Sequence, residues 1–173
     1  MEKGMRVKII EKDVMKKYIG VKIIEAEPMT DHEIARAIDR PYHTGTEPQE
    51  GYRVVYPDGY VSWSPKDVFE KAYRPISNMT LGLAIEAAKM GHKVTRAGWY
   101  GKGLFVVYQK GYPQGIPCNK QTADAWGMNE GDLFICNPYL QIKQADGSHS
   151  MWAPSIGDSL AEDWMIVIEV VKP

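Results

Sequence analysis

The chain has 173 residues, of which 44% are hydrophobic, 25% charged and 10% aromatic, and its net charge is −1. These values are ordinary for a globular protein and exclude disordered or collagen-like compositions. The length suits one medium domain or two small ones, no run of about 18 apolar residues marks a membrane-spanning helix, and the charged start Met1-Glu-Lys-Gly-Met-Arg leads into no signal-peptide core, so the sequence reads as cytosolic.

Tyr18–Ala26 is rich in β-branched residues and reads as a strand. Thr30-Asp-His-Glu33 has capping-box spacing and predicts a helix over Asp31–Ile38. A polar loop, Pro41–Gly51, follows. Tyr52–Tyr56 and Tyr60–Trp63 flank Pro57-Asp58-Gly59, a hairpin signal. Ser64-Pro65 then predicts a helix over Pro65–Lys71, with Ser64 as N-cap and Pro65 in the first helical position. Residues 1–75 thus form a small α+β unit, and Ile76-Ser77-Asn78 marks a boundary.

The second unit covers residues 79–173. Thr80 is placed to cap a helix whose apolar residues Leu81, Ala84, Ile85 and Ala88 fall on one face, with Gly91 as its stop. Lys93–Arg96 and Leu104–Gln109 read as strands joined by the turn Gly98–Gly103. Lys110–Pro117 reads as a Gly/Pro loop, and Asn119 as the cap of a helix over Lys120–Trp126. Leu133–Cys136, Tyr139–Gln144 and Ser148–Trp152 read as strands, the last two joined by the turn Asp146-Gly147. Ala153–Ser159 reads as a loop and Trp164–Val171 as the final strand.

The charge is even along the chain: residues 1–78 hold 13 Lys/Arg and 13 Asp/Glu, and residues 79–173 hold 8 and 9. That balance argues against a nucleic-acid module. Cys118 and Cys136 lack the spacing of a zinc site or a disulfide framework and read as free thiols. His32, His43, His92 and His149 are scattered, and no phosphate loop, nucleophile elbow or H-E-x-x-H motif occurs. Asp158, Glu162 and Asp163 are near one another in sequence, as capping groups or as a carboxylate pair. Binding has more support than catalysis. Arg96-Ala97-Gly98-Trp99 sets a guanidinium and an indole at a strand end, one able to pair with phosphate and the other to stack on a base. Further aromatic residues (Tyr112, Trp126, Tyr139, Trp152) lie at or near predicted turns.

Met79-Thr-Leu-Gly-Leu-Ala-Ile-Glu-Ala, Lys93-Val-Thr-Arg-Ala-Gly-Trp99, Pro138-Tyr-Leu-Gln-Ile-Lys, Ala145-Asp-Gly, Trp152-Ala-Pro-Ser and Leu160-Ala-Glu-Asp-Trp164 occur in this order. Over residues 79–170 the chain resembles the phage anti-Thoeris sponge proteins of the second described type. The resemblance implies an α+β fold with one helix on a twisted antiparallel sheet. It also implies a homotetramer with ligand pockets between protomers, acting in the host bacterial cytoplasm. The implied ligand is a cyclic ADP-ribose isomer, captured without cleavage, with cyclic oligonucleotides captured by some relatives. No cofactor, metal, nucleic acid or membrane is implied. Carried over, the ligand-binding candidates are Arg96, Trp99, Asn119, Tyr139, Asp146 and Ser155. Trp99 would stack on adenine, and Arg96 would meet phosphate or frame the pocket. Asp146 and Ser155 would bond ribose or base edges, Asn119 would face the ligand, and Trp164 would pack in the core. Residues 1–75 resemble a phage accessory domain. Two readings stand beside the sponge: an enzyme that degrades the same nucleotide through the acidic residues, and a module that binds a host defence protein.

Overall fold

The computed structural model describes residues 19–39, 41, 45–100 and 102–168, so Tyr18, His43, Gly101 and Glu169–Val171 lie outside the described residues. The fold is α+β. The first elements are β1 (Glu25–Pro28), α1 (Asp31–Ala37), β2 (Gly51–Val55), β3 (Val61–Pro65) and α2 (Lys66–Ala72). They form an antiparallel sheet of three strands in the order β1-β2-β3. Thr30 caps α1 in a complete capping box with Glu33, as the spacing predicts. β1 is shorter and later than the run Tyr18–Ala26. Glu25 pairs with Val55, the last residue of β2, so residues 19–24 have no strand opposite them. The α2 start also differs. Pro65 ends β3 and serves as N-cap, with no side-chain capping bond, because its backbone completes the ladder to Gly51.

The chain continues through α3 (Leu81–Lys89), β4 (Val94–Arg96), α4 (Ala97–Tyr100), β5 (Phe105–Gln109), β6 (Tyr112–Pro117), α5 (Lys120–Trp126), β7 (Leu133–Cys136), β8 (Tyr139–Lys143), β9 (His149–Trp152), α6 (Ile156–Ser159) and β10 (Trp164–Ile166). Five strands form an antiparallel sheet in the order β10-β4-β5-β8-β9. Residues alternate across a strand, and the buried set Val94, Val106, Ile142 and Ile166 shares one face with Leu140, Trp152 and Trp164. The α3 helix lies on this face, burying Ala84, Ala87 and Ala88. Thr80 caps it, and Gly91 leaves it at φ 101°, a backbone region that glycine enters without steric cost.

Four expectations in the second unit are corrected. The Gly/Pro segment before Asn119 is mostly a strand, β6, paired with β7 across an irregular register. Its prolines fit because the pair has free edges. Gly111, at φ 75°, brings it so close to Cys136 and Asn137 that a Cβ there would collide with their backbone. The turn after Arg96 opens as the helical turn α4, and the loop after Trp152 contains α6. Among the described residues the last strand ends at Ile166, although the Val167 N–H still donates to Lys93 O at 2.8 Å, one residue beyond β4. Cys118 and Cys136 are free thiols.

The sheet is strongly curled. Its edge strands β10 and β9 are separated by three others, about 19 Å on a flat sheet. Side chains stand roughly perpendicular to a sheet, yet the rings of Trp164 on β10 and Trp152 on β9 lie 5.8 Å apart. The outer edge of β10 is covered by the preceding chain: Met79 and Trp164 exchange backbone hydrogen bonds of 2.7 and 3.1 Å, and the Ile166 N–H donates to Ile76 O at 3.0 Å.

Trp164 is fully buried, and its indole N–H donates to Asp158 O at 3.0 Å. Trp164→Ala is expected to remove about 3–5 kcal/mol of stability, which urea denaturation followed by circular dichroism will measure.

Candidate functional site

The ladder places Arg96 opposite Trp164 at the end of β4. One helical turn later, α4 carries Trp99. Its ring meets Trp164 at 5.5 Å and Trp152 at 6.2 Å, both edge-on. Each such contact adds about 0.5–1.5 kcal/mol beyond area burial. Trp99 is half-buried and packs against the core, so it is a fixed ring that keeps access to solvent.

The Arg96 guanidinium lies 6.0 Å from the Trp99 ring centre. Its Nε donates to Asp163 at 2.8 Å and its Nη1 to Asp158 at 3.0 Å. The Asp163 hydrogen bond raises the Arg96 pKa further. Two carboxylates therefore more than offset its single positive charge. A phosphate would have to compete with them for the guanidinium.

Ser155 belongs to the same cluster through its backbone role. It caps α6 in a second capping box: Ser155 Oγ accepts from the Asp158 N–H at 3.1 Å and donates to Asp158 Oδ2 at 2.7 Å. Asp158 thus uses one oxygen on Arg96 and the other on Ser155. Burial pushes the Asp158 carboxyl up, but the bonds from Ser155 and Arg96 outweigh it and hold the pKa below the usual carboxylate range. Glu162 instead faces Arg74, at 3.4 Å. The three acidic residues are thereby engaged with cations.

The other candidates lie apart from this cluster. Asn119 caps α5, accepting from the Thr122 N–H at 2.9 Å. Asp146 closes the β8–β9 turn by accepting from Ser148 N–H and Oγ–H at 2.8 and 2.7 Å. These bonds hold its carboxyl below the usual pKa. Tyr139 opens β8 opposite Gln109, on the sheet face away from Leu140 and Trp152. The structure thus unites Arg96, Trp99 and Ser155, and does not join Asn119, Tyr139 or Asp146 to them.

Trp152, Asp158 and Asp163 complete the cluster without having been candidate ligand contacts. The Ser155-x-x-Asp158 spacing, like Thr30-x-x-Glu33, was a legible sign of the cap. Exposed apolar side chains lie in and beside α6: Ile156 and Leu160. Among the described residues, no group of three or more His, Cys, Asp or Glu is arranged to hold a metal. No helix among them is long and apolar enough to cross a membrane.

Asp158 is 13% exposed and Arg96 25%. Asp158→Asn is expected to lower stability at pH 7 by about 1–3 kcal/mol. Because the folded-state pKa is depressed, this contribution is complete above the unfolded pKa of about 3.9 and fades as pH falls through the folded value. The gap between wild type and variant will therefore narrow in denaturation curves from pH 5 to pH 3 (values set by about that unfolded pKa).

Residues 79–167 match the Tad2-like family, described as the Thoeris anti-defense 2-like domain. Over 94 residues the chain is 35% identical to a protein of Bacillus phage SP01 named Thoeris anti-defense 2, an alignment covering 53% of this chain and 97% of that protein.

Proposed function

The chain belongs to the Thoeris anti-defense 2-like family, and from that premise we propose that it is a phage anti-defence protein that sequesters a cyclic ADP-ribose-type signal in the host bacterial cytoplasm without cleaving it. One observation carries the reading. Trp99 is a half-buried indole fixed by two other indoles, beside a guanidinium whose charge is already more than offset. Such a ring is a stacking surface for adenine, worth about 1–3 kcal/mol. Arg96 then frames the pocket. Ser155 acts by capping α6.

A nanomolar sponge needs about −12 kcal/mol of binding free energy, so most of it comes from contacts to riboses and phosphates in a dry, preformed pocket. The second wall of that pocket comes from another protomer, in a homotetramer. Support for this comes from exposed Ile156 and Leu160 in and beside α6, apolar side chains that a partner would cover. The absence of turnover is supported by the pairing of Asp158 and Asp163 with Arg96 and of Glu162 with Arg74.

A second reading, docking on a host defence protein, draws on a different surface. Trp126, Leu133 and Ile135 are exposed on α5 and β7, where the two-stranded sheet presents apolar side chains to solvent.

Calorimetric titration with glyco-cyclic ADP-ribose tests the proposal. Wild type is expected to bind, and Trp99→Ala to bind about 5- to 150-fold more weakly, the factor for one lost stacking contact. Its loss of stability should be smaller than that of Trp164→Ala. Equal affinity for both proteins would contradict the role given to Trp99. We further propose that residues 79–173 form a separate domain. Deleting residues 1–75, which spares the backbone bonds of Ile76 and Met79 to β10, is expected to leave capture intact in the same titration.

A further inference from the structure

We propose that the cleft between the β2–β3 turn and the C-terminal end of α3 is a second binding site, for a planar aromatic ring that carries one anionic group. It is distinct from the Trp99 cluster and does not depend on the sponge reading. The cleft has a volume of about 610 Å³ and is lined by Val21, Lys22, Tyr56, Asp58, Met90 and His92, among others. Small-molecule sites commonly measure about 300–1,000 Å³ and favour the junction between separately packed parts of a chain.

One wall is an aromatic ring held in advance. It is the ring of Tyr56. The ring of Tyr60 lies 5.8 Å away, and the Tyr56 N–H donates to Tyr60 O at 2.9 Å. Facing surfaces are apolar and open: Met90 is 51% exposed and Val21 42%. A thioether and an aromatic ring that both meet solvent in a concave site make a slot for a flat ring.

The charges of the cleft favour an anion at its rim. Lys22 Nζ lies 5.2 Å from the Tyr56 ring centre, and among the described residues no carboxylate pairs with it. His92 supplies an imidazole. The opposing carboxylate, Asp58, accepts the Tyr60 N–H at 3.1 Å within its own turn. The negative end of α3 is partly satisfied, because Glu86, Ala87 and Ala88 carbonyls accept N–H bonds from Met90, Gly91 and His92. An ammonium, an imidazole and a ring in one cleft match a mononucleotide: the base lies against Tyr56 and Met90, and the phosphate meets Lys22 and His92.

The test uses the full chain with ¹³C-labelled methionine methyl groups, titrated with adenosine 5′-monophosphate and observed by NMR. The Met90 methyl and the His92 ring signals are expected to shift and saturate together. Lys22→Gln should weaken binding about tenfold, the factor for one charge-assisted contact. Met90→Glu, which puts a carboxylate in the wall at an exposed position, should abolish it. Adenosine alone and inorganic phosphate alone should each bind at least about tenfold more weakly. An unmoved Met90 methyl at millimolar nucleotide would overturn the proposal. So would unchanged affinity in Lys22→Gln, or equal binding of either fragment. Because the readout is local to Met90 and His92, its failure leaves the Trp99 titration untouched, and failure there leaves this site untouched.

Discussion

Three indoles set the geometry of the larger sheet. Trp164 comes from one edge strand, Trp152 from the other, and Trp99 from the helical turn that follows β4. Their mutual contacts accompany a curl that a flat five-stranded sheet would not have. The curl is what brings the segment after β9 over the end of β4. Asp158 and Asp163 then reach Arg96, and α6 is held against the same corner. In the proposed sponge, a fixed Trp99 would favour binding, because an indole that is already ordered loses little freedom when a base stacks on it.

Electrostatics at this corner work inward. Asp158 has two oxygens, one on Arg96 and one on Ser155, and its backbone carbonyl takes the Trp164 indole N–H. A single residue thereby couples the helix cap, the guanidinium and the buried indole. This is a framework for presenting a ring, and it differs from a cationic patch that would collect any polyanion. The near-zero net charge of the chain accords with selection by shape and local contacts.

Local signals carried much of the fold. Thr30, Thr80 and Asn119 cap the helices that their spacing predicts. The hairpin at Pro57-Asp58-Gly59 and the turn at Asp146-Gly147 join the strands expected around them. Strand ends were less legible, because they depend on what lies opposite: β1 starts at Glu25, which faces Val55, the last residue of β2. β6 was hidden by its prolines and glycines, since its register is set by β7 rather than by local preference. At the site, the Arg96–Trp99 motif was visible, and the resemblance drew Ser155 toward it. The partners of Arg96 were not visible, because a contact between residues 62 positions apart in sequence has no periodic signature. Asn119 and Asp146 illustrate the converse: both are polar residues whose side chains complete local caps and turns.

The central claim is that the protein holds a nucleotide signal and returns it unchanged. The most direct measurement is to incubate the pure chain with glyco-cyclic ADP-ribose, remove free ligand, denature the protein by heat and identify what is released by chromatography and mass spectrometry. The account predicts stoichiometric release of the intact cyclic nucleotide. Release of a hydrolysed product would contradict it and make the protein an enzyme; release of nothing would show that this signal is not its ligand.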